Sequence, residues 1–144
     1  MNGVVIIDPP VMSVERCERI SEFDLLALCE ATNAAIIEGG GFDGRVVGSA
    51  QMVRPPRNNE AQAISAQLTH AYIAPYARGF GLARKLVRFV EERAAALGHR
   101  VLNLDVRETQ LAAIQIFEAL GYTRWGTHPA YARVKGRIVQ GHFF

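Results

Sequence analysis

The residues able to do chemistry gather around one stretch, Leu68-Thr-His-Ala-Tyr-Ile-Ala-Pro-Tyr-Ala-Arg-Gly-Phe-Gly-Leu-Ala-Arg-Lys-Leu-Val87. Gly79 and Gly81 flank Phe80 where a β-like run gives way to a helical one. A glycine loop entering a helix leaves free backbone N–H groups at the positive end of the helix dipole, and missing Cβ atoms let an anion come close. Phosphate is the natural guest. A tight turn without a ligand is the plainer reading, and the loop alone does not separate the two. The pattern is not a dinucleotide fingerprint, which needs glycine where Arg84 stands, and no Gly-Lys-Ser/Thr follows to make a P-loop. Proton chemistry is the second possibility. His70 has an intrinsic pKa of about 6.5, right for a base at neutral pH, although a histidine satisfied by ordinary hydrogen bonds is the commoner case. Asp105 is the one charge in a mostly apolar run, residues 101–106, and a carboxylate there needs a partner or a task. Tyr72 and Tyr131 offer hydroxyls, though strand tyrosines mostly pack. Arg107, Glu108 and His128 stand where they can line a mouth, and such charges are mostly just solvated.

Those residues need elements to hold them. Thr69, Tyr72 and Ile73 are β-branched or aromatic in an alternating run, so residues 63–74 read as a strand stopped by Pro75. Leu82, Leu86, Phe89, Val90, Ala94 and Leu97 then recur at helical spacing, with Gly98 as the natural C′ residue. Arg84, Lys85 and Arg88 on that helix read first as a solvated face. Residues 101–106 form a short strand, and residues 110–120 a helix closed by Gly121. Residues 122–125 and 137–144 are expected as a last hairpin, joined by a loop through His128, Pro129 and Tyr131, with Trp125 in the core. Upstream, residues 4–7 and 34–38 read as strands, residues 16–31 as one or two helices, and residues 45–53 as a strand after glycine-rich turns. The order β-α(α)-β-β-β-α-β-α-β-β describes a mixed sheet with helices on its faces, an α+β architecture.

A chain of 144 residues can bury a sizeable core as one domain, residues 1–144. A formal net charge of +2 gives no support to a nucleic-acid partner, while leaving anionic ligands open. Cys17 and Cys29 fall in one helical region and suggest neither a disulfide framework nor a metal quartet, so no metal is expected. Residues 4–7 are too short for a membrane span or a signal sequence, and the expectation is a cytoplasmic protein with no membrane partner.

Two patterns carry a resemblance. Arg78-x-x-Gly81-x-Ala83, preceded by Ile73-x-Pro75, resembles the pyrophosphate-binding signature Gln/Arg-x-x-Gly-x-Gly/Ala of the GNAT superfamily of acyl-CoA N-acyltransferases. Gln110-x-x-Ala113-Ile-x-Ile-Phe117-Glu-x-Leu-Gly121-Tyr122 is similar to that family's second signature, Asn-x-x-Ala-x-x-Leu-Tyr-x-x-x-Gly-Phe/Tyr. The resemblance implies a mostly antiparallel sheet with helices on both faces and a central strand pair that splays, here residues 63–74 and 101–106. It implies acetyl-CoA as co-substrate: the amides of Gly79, Phe80, Gly81, Leu82, Ala83 and Arg84, with Arg78, hold the pyrophosphate. Ala71, Tyr72 and Ile73 then run beside the pantetheine, Gln110 and Phe117 lie at its far side, and a β-bulge near Ala71 aims a backbone N–H at the thioester carbonyl.

The chain departs from that family at two chemical positions. Gln67 stands where many members carry the strand Glu that serves as base, and Phe117 where they carry the Tyr that serves as acid. Gln110 replaces the signature Asn and keeps its amide. His70 or Asp105 is then the candidate base, and Tyr72 or Tyr131 the candidate acid. The implied activity is acetyl transfer to a primary amine of a small molecule or peptide, with a homodimer among the allowed assemblies. The alternative is a GNAT-fold module that binds acyl-CoA without transferring it. Transfer to a nucleic-acid-attached amine is a weaker third reading, because the charge gives it nothing.

Overall fold

A computed structural model describes residues 47–144. The expected strands and helices of residues 1–46, with Cys17 and Cys29, lie outside the described residues. The first described strand, β1 (Gly48–Val53), runs antiparallel to β2 (Ser65–Ile73). Helix α1 (Leu82–Ala96) follows, then β3 (Val101–Asn103), β4 (Asp105–Arg107), helix α2 (Leu111–Ala119), β5 (Gly126–Val134) and β6 (Arg137–Phe143). Among the described residues the strands form two three-stranded sheets, β1-β2-β3 and β4-β6-β5, antiparallel except for β2 with β3, in keeping with the expected α+β design.

The splay comes from residues 101–107 changing partners. Val101, Leu102 and Asn103 pair with Ser65, Ala66 and Gln67 of β2. Leu104 then exchanges both backbone hydrogen bonds with Phe144, at 3.0 and 2.9 Å, and Asp105–Arg107 pair with β6 on the other side. Beyond Gln67 the rest of β2 therefore faces a gap, with β4 as the opposite wall. The result is a wedge whose apex lies at Gln67 and Leu104.

One core sits behind the wedge. Leu68 of β2, Val87 and Val90 of α1, Leu104, Val106 of β4, Ile114 and Phe117 of α2, and Phe144 form a buried cluster. Of the expected stripe of α1, Leu82, Val90 and Ala94 are buried and Leu86, Phe89 and Leu97 half-buried, while Val87 joins the core beside them. Each large side chain buried here contributes about 1.5–3 kcal/mol. Among the described residues no helix is long and apolar enough to cross a membrane.

The last hairpin differs from the sequence reading. Residues 122–125 are irregular, and the strand is β5, which contains His128, Pro129 and Tyr131. The connection is the two-residue turn Lys135-Gly136, both with positive φ (48° and 79°), which suits a tight hairpin between Val134 and Arg137. Pro129 misleads because proline usually marks a loop. Here four steps from His128 to Ala132 match only two from Gly141 to Val139, so a bulge takes up the proline without a lost ladder bond. Trp125 is also not in the core. It is 67% exposed, with its ring 5.5 Å from that of Phe143.

Candidate active site

The glycine loop is fixed from below and bare above. Ala74, Ala77 and Leu82 form a small buried cluster against Tyr72 and Ile73, which pins both ends of the loop. Arg78 donates from Nε to the Ile73 carbonyl at 3.0 Å, so its guanidinium is held beside the end of β2. Gly79 and Gly81 have φ of 88° and 76°, the left-handed region where side chains are strained, and an added Cβ at either would meet open space. Gly81 caps α1 with no side chain, and the first bond back into the helix is from Lys85 N–H to the Gly81 carbonyl at 3.2 Å. No backbone carbonyl of the described residues accepts from the amides of Leu82, Ala83 or Arg84. Orphan donors at a helix N-terminus, without side chains over them, fit a phosphate. Further along α1, Arg84, Lys85, Arg88, Phe89 and Glu92 line a surface hollow of about 440 Å³ with Leu120.

The expected bulge is present in β2. Ser49 pairs with Tyr72 and Gln51 with Thr69, so His70 and Ala71 together oppose Ala50. His70 takes up the irregularity with φ 50°, a left-handed conformation in which histidine is one of the enriched non-glycine residues. It is exposed and belongs to no hydrogen-bond network with Asp105.

Asp105 has two partners, and they explain its place in an apolar run. Gln67 donates from Nε2 to Asp105 Oδ1 at 3.1 Å, directly across the apex of the wedge. The Tyr131 hydroxyl donates to Asp105 Oδ2. Tyr131 reaches it because the β5 bulge re-aims its ring over Gly141, where a Cβ would come within 2.1 Å of the ring, and edge-on to Phe143 at 6.0 Å. The Asp105 hydrogen bond, then burial, then the carboxylate's charge push the Tyr131 hydroxyl up to about 12, while Arg107 opposes. Tyr131 therefore keeps its proton throughout the neutral range.

The structure brings together Asp105 and Tyr131 and adds Gln67, which sequence reasoning treated only as a missing base. The signal for Gln67 was its place on the strand opposite Asp105. Tyr72 packs against the loop cluster, and Gln110 is the exposed residue before α2. Phe117 is buried in the core, 5.8 Å from the Tyr122 ring and 6.3 Å from the Phe144 ring. Burial and the nearby Glu91 carboxylate hold the Tyr122 hydroxyl above its usual range.

The model of the acetyltransferase (GNAT) family matches residues 9–122. The chain belongs to this family. It is 44% identical to the N-acetyltransferase in the hisH-hisA intergenic region of Azospirillum brasilense, over 69% of this chain and 77% of that one. Among solved structures, a GNAT-family acetyltransferase from Streptococcus pneumoniae has the same fold, with a TM-score of 0.65 and 21% identity. That match covers 72% of this chain and 61% of the other, so this GNAT chain spans under two thirds of that relative. A Salmonella typhimurium acetyltransferase solved with its cofactor acetyl-CoA is similar over 86% of this chain and 72% of its own, at 23% identity and a TM-score of 0.63. Among the described residues of this GNAT protein, no group of three or more His, Cys, Asp or Glu is placed to hold a metal ion.

Proposed function

We propose that this GNAT protein transfers an acetyl group from acetyl-CoA to a primary amine by direct attack, with Asp105 as base and Tyr131 as acid. The observation that supports it is the Gln67–Asp105–Tyr131 network at the apex of the wedge. The network ties a carboxylate to a tyrosine at a strand split, on the same wedge as the glycine loop.

Acetyl-CoA supplies an activated thioester. Its pyrophosphate fits the orphan amides of residues 81–84 and the Arg78 guanidinium, and its 3′ end fits the cationic hollow of Arg84, Lys85 and Arg88. Beyond Gln67 the β3-facing edge of β2 has no strand partner among the described residues and can hydrogen-bond an extended chain. Ala71, in the bulge, is the backbone N–H best placed to leave the ladder and serve as an oxyanion donor. Asp105 takes a proton from the amine nitrogen. Tyr131 holds a proton at the adjoining hydroxyl, ready for a leaving sulfur, and Asp105 can restore it. Gln67 fixes the carboxylate across the split.

The amine must be neutral to attack, which bears on the acceptor. A lysine-type amine of pKa about 10.4 is only about one part in 10³ neutral at pH 7, whereas an α-amine of about 7.7–8.0 is roughly a tenth neutral. The site therefore favours amines that lose their proton easily over lysine-type side chains. The test is release of free CoA thiol from acetyl-CoA with a panel of amines. Thiol release that depends on both the amine and Asp105 is expected. Tight CoA binding with no thiol release from any amine would instead establish the acyl-CoA-binding module, which Gln67 and Phe117 favour.

A further inference from the structure

Arg107 has no use in the chemistry above, and its position is specific. It lies two residues after Asp105 on β4, so the two side chains leave the strand on one face about 6.5 Å apart. Across the ladder Arg107 pairs with Gly141, the residue over which the Tyr131 ring lies. Asp105 thus stands at the hydroxyl end of Tyr131 and Arg107 along its ring. Arg107 is half-buried, yet its guanidinium has no hydrogen bond or ion pair with another described residue. Among the described residues, the polar groups around it already have other hydrogen-bond partners. Glu108 Oε1 accepts the Gln140 N–H at 2.9 Å, Asp105 is tied to Gln67 and Tyr131, and His128 Nδ1 accepts the Ala130 N–H at 3.1 Å. A half-buried, unpaired guanidinium beside a carboxylate that faces the reaction is suited to a ligand with both charges.

We infer that Asp105 and Arg107 form a clamp for a zwitterion, and that the acceptor is a free α-amino acid, its amine at Asp105 and its carboxylate at Arg107. The inference rests on the acetyltransferase reading above. The dimensions fit. In an amino acid the amine nitrogen lies about 2.5 Å from the carboxylate carbon, and a charge-assisted hydrogen bond of about 2.8 Å at each end spans the two heads. The pairing also assists the chemistry. A free carboxylate stabilises a neighbouring ammonium, and binding it to Arg107 removes that attraction, so the amine yields its proton more readily to Asp105. A peptide N-terminus or a polyamine lacks the carboxylate and leaves Arg107 unpaired.

The experiment measures thiol release from acetyl-CoA with L-amino acids beside their carboxamides, short peptides and spermidine. The expected result is kcat/KM about tenfold to a hundredfold higher for an acid than for its amide, the range of a hydrogen bond between charged groups. Arg107→Met should erase that ratio by raising KM for the acid far more than for the amide, and Arg107→Lys should restore part of it. Amides, peptides or spermidine turned over as well as acids would overturn the clamp and leave the acetyltransferase reading standing. An equal loss for acid and amide in Arg107→Met would do the same, since it would make Arg107 merely structural. No thiol release with any amine would overturn both. Should Arg107→Met fail to fold, the acid-to-amide ratio of the wild type and of Arg107→Lys decides the matter.

Discussion

The glycine loop and the Gln67–Asp105–Tyr131 network serve one wedge but are assembled in opposite ways. The loop is a run of neighbours, Arg78 to Arg84, whose geometry comes from two positive-φ glycines and a helix start. The network takes one side chain from each of three strands, with 38 residues between Gln67 and Asp105 and 26 between Asp105 and Tyr131. A local device binds whatever carries the common handle, here a phosphate, and needs little from the rest of the fold. A non-local device depends on register, because a one-residue slip of β4 or β5 would turn its side chains to the other face. Binding and chemistry should accordingly fail separately, and mutations can test that.

The largest effect is expected at Asp105. Asp105→Asn keeps the size and an acceptor oxygen for its neighbours but cannot take a proton. It should lower kcat by about a hundredfold to a thousandfold, within the range of a general base. Affinity for CoA by calorimetry should stay within about twofold. A mutant that retains kcat would remove Asp105 from the chemistry and return attention to His70.

Next comes Tyr131, tested by two routes. Tyr131→Phe removes the hydroxyl, while Gly141→Ala leaves it but drives a Cβ into the ring. Both should cost kcat about tenfold to a hundredfold, and the double mutant should lose little more than either alone, because each breaks the same contact. The pH dependence sharpens the point. A tyrosine raised from 10 to about 12 stabilises the fold fully below pH 10, and that contribution is lost as pH climbs toward 12. Unfolding followed against pH should show this slope in the wild type and not in Tyr131→Phe. No limb of the pH–rate profile below about pH 11 should belong to Tyr131.

How much of this was legible follows from the same contrast. The loop, the two helices, the split strand pair and the bulge beside Ala71 could all be anticipated, since each depends on glycine, on helical spacing or on alternation within a few residues. The odd carboxylate, Asp105, was visible as a polar residue in an apolar strand. Its partners were not, because no local pattern says which residues face each other across a wedge. Tyr131 was placed in a loop on the strength of Pro129, and the bulge that absorbs the proline is what aims the tyrosine at Asp105. Gln67 carries no sequence signal of its own for this pairing, because its partner Asp105 lies 38 residues away.

A smaller effect is expected on the binding side. Gly81→Glu forces a side chain and a negative charge onto a left-handed position in front of the orphan amides. Losing several phosphate contacts of about 1–2 kcal/mol each should weaken CoA well over tenfold. Saturating CoA should then recover most of kcat, which Asp105→Asn cannot do. Unchanged affinity in a folded mutant would reduce the loop to a turn and break the comparison at its first half.

The smallest catalytic effect should come from restoring the hydroxyl that the family signature carries at position 117. Phe117 is buried, with its ring against Tyr122 and Phe144, and the Tyr122 hydroxyl already sits in the same core. A second hydroxyl there would be buried without a partner, at a cost of about 1–3 kcal/mol in stability. It would gain no role in turnover, because Tyr131 supplies the proton from the opposite wall of the wedge. Phe117→Tyr should thus lower the unfolding midpoint while kcat stays within about twofold. A rise in kcat near a hundredfold would mean that the site was shaped around an acid at position 117. The Asp105–Tyr131 pair would then be a structural tie, and the wild-type chain would be better described as a binder of acyl-CoA than as an efficient transferase.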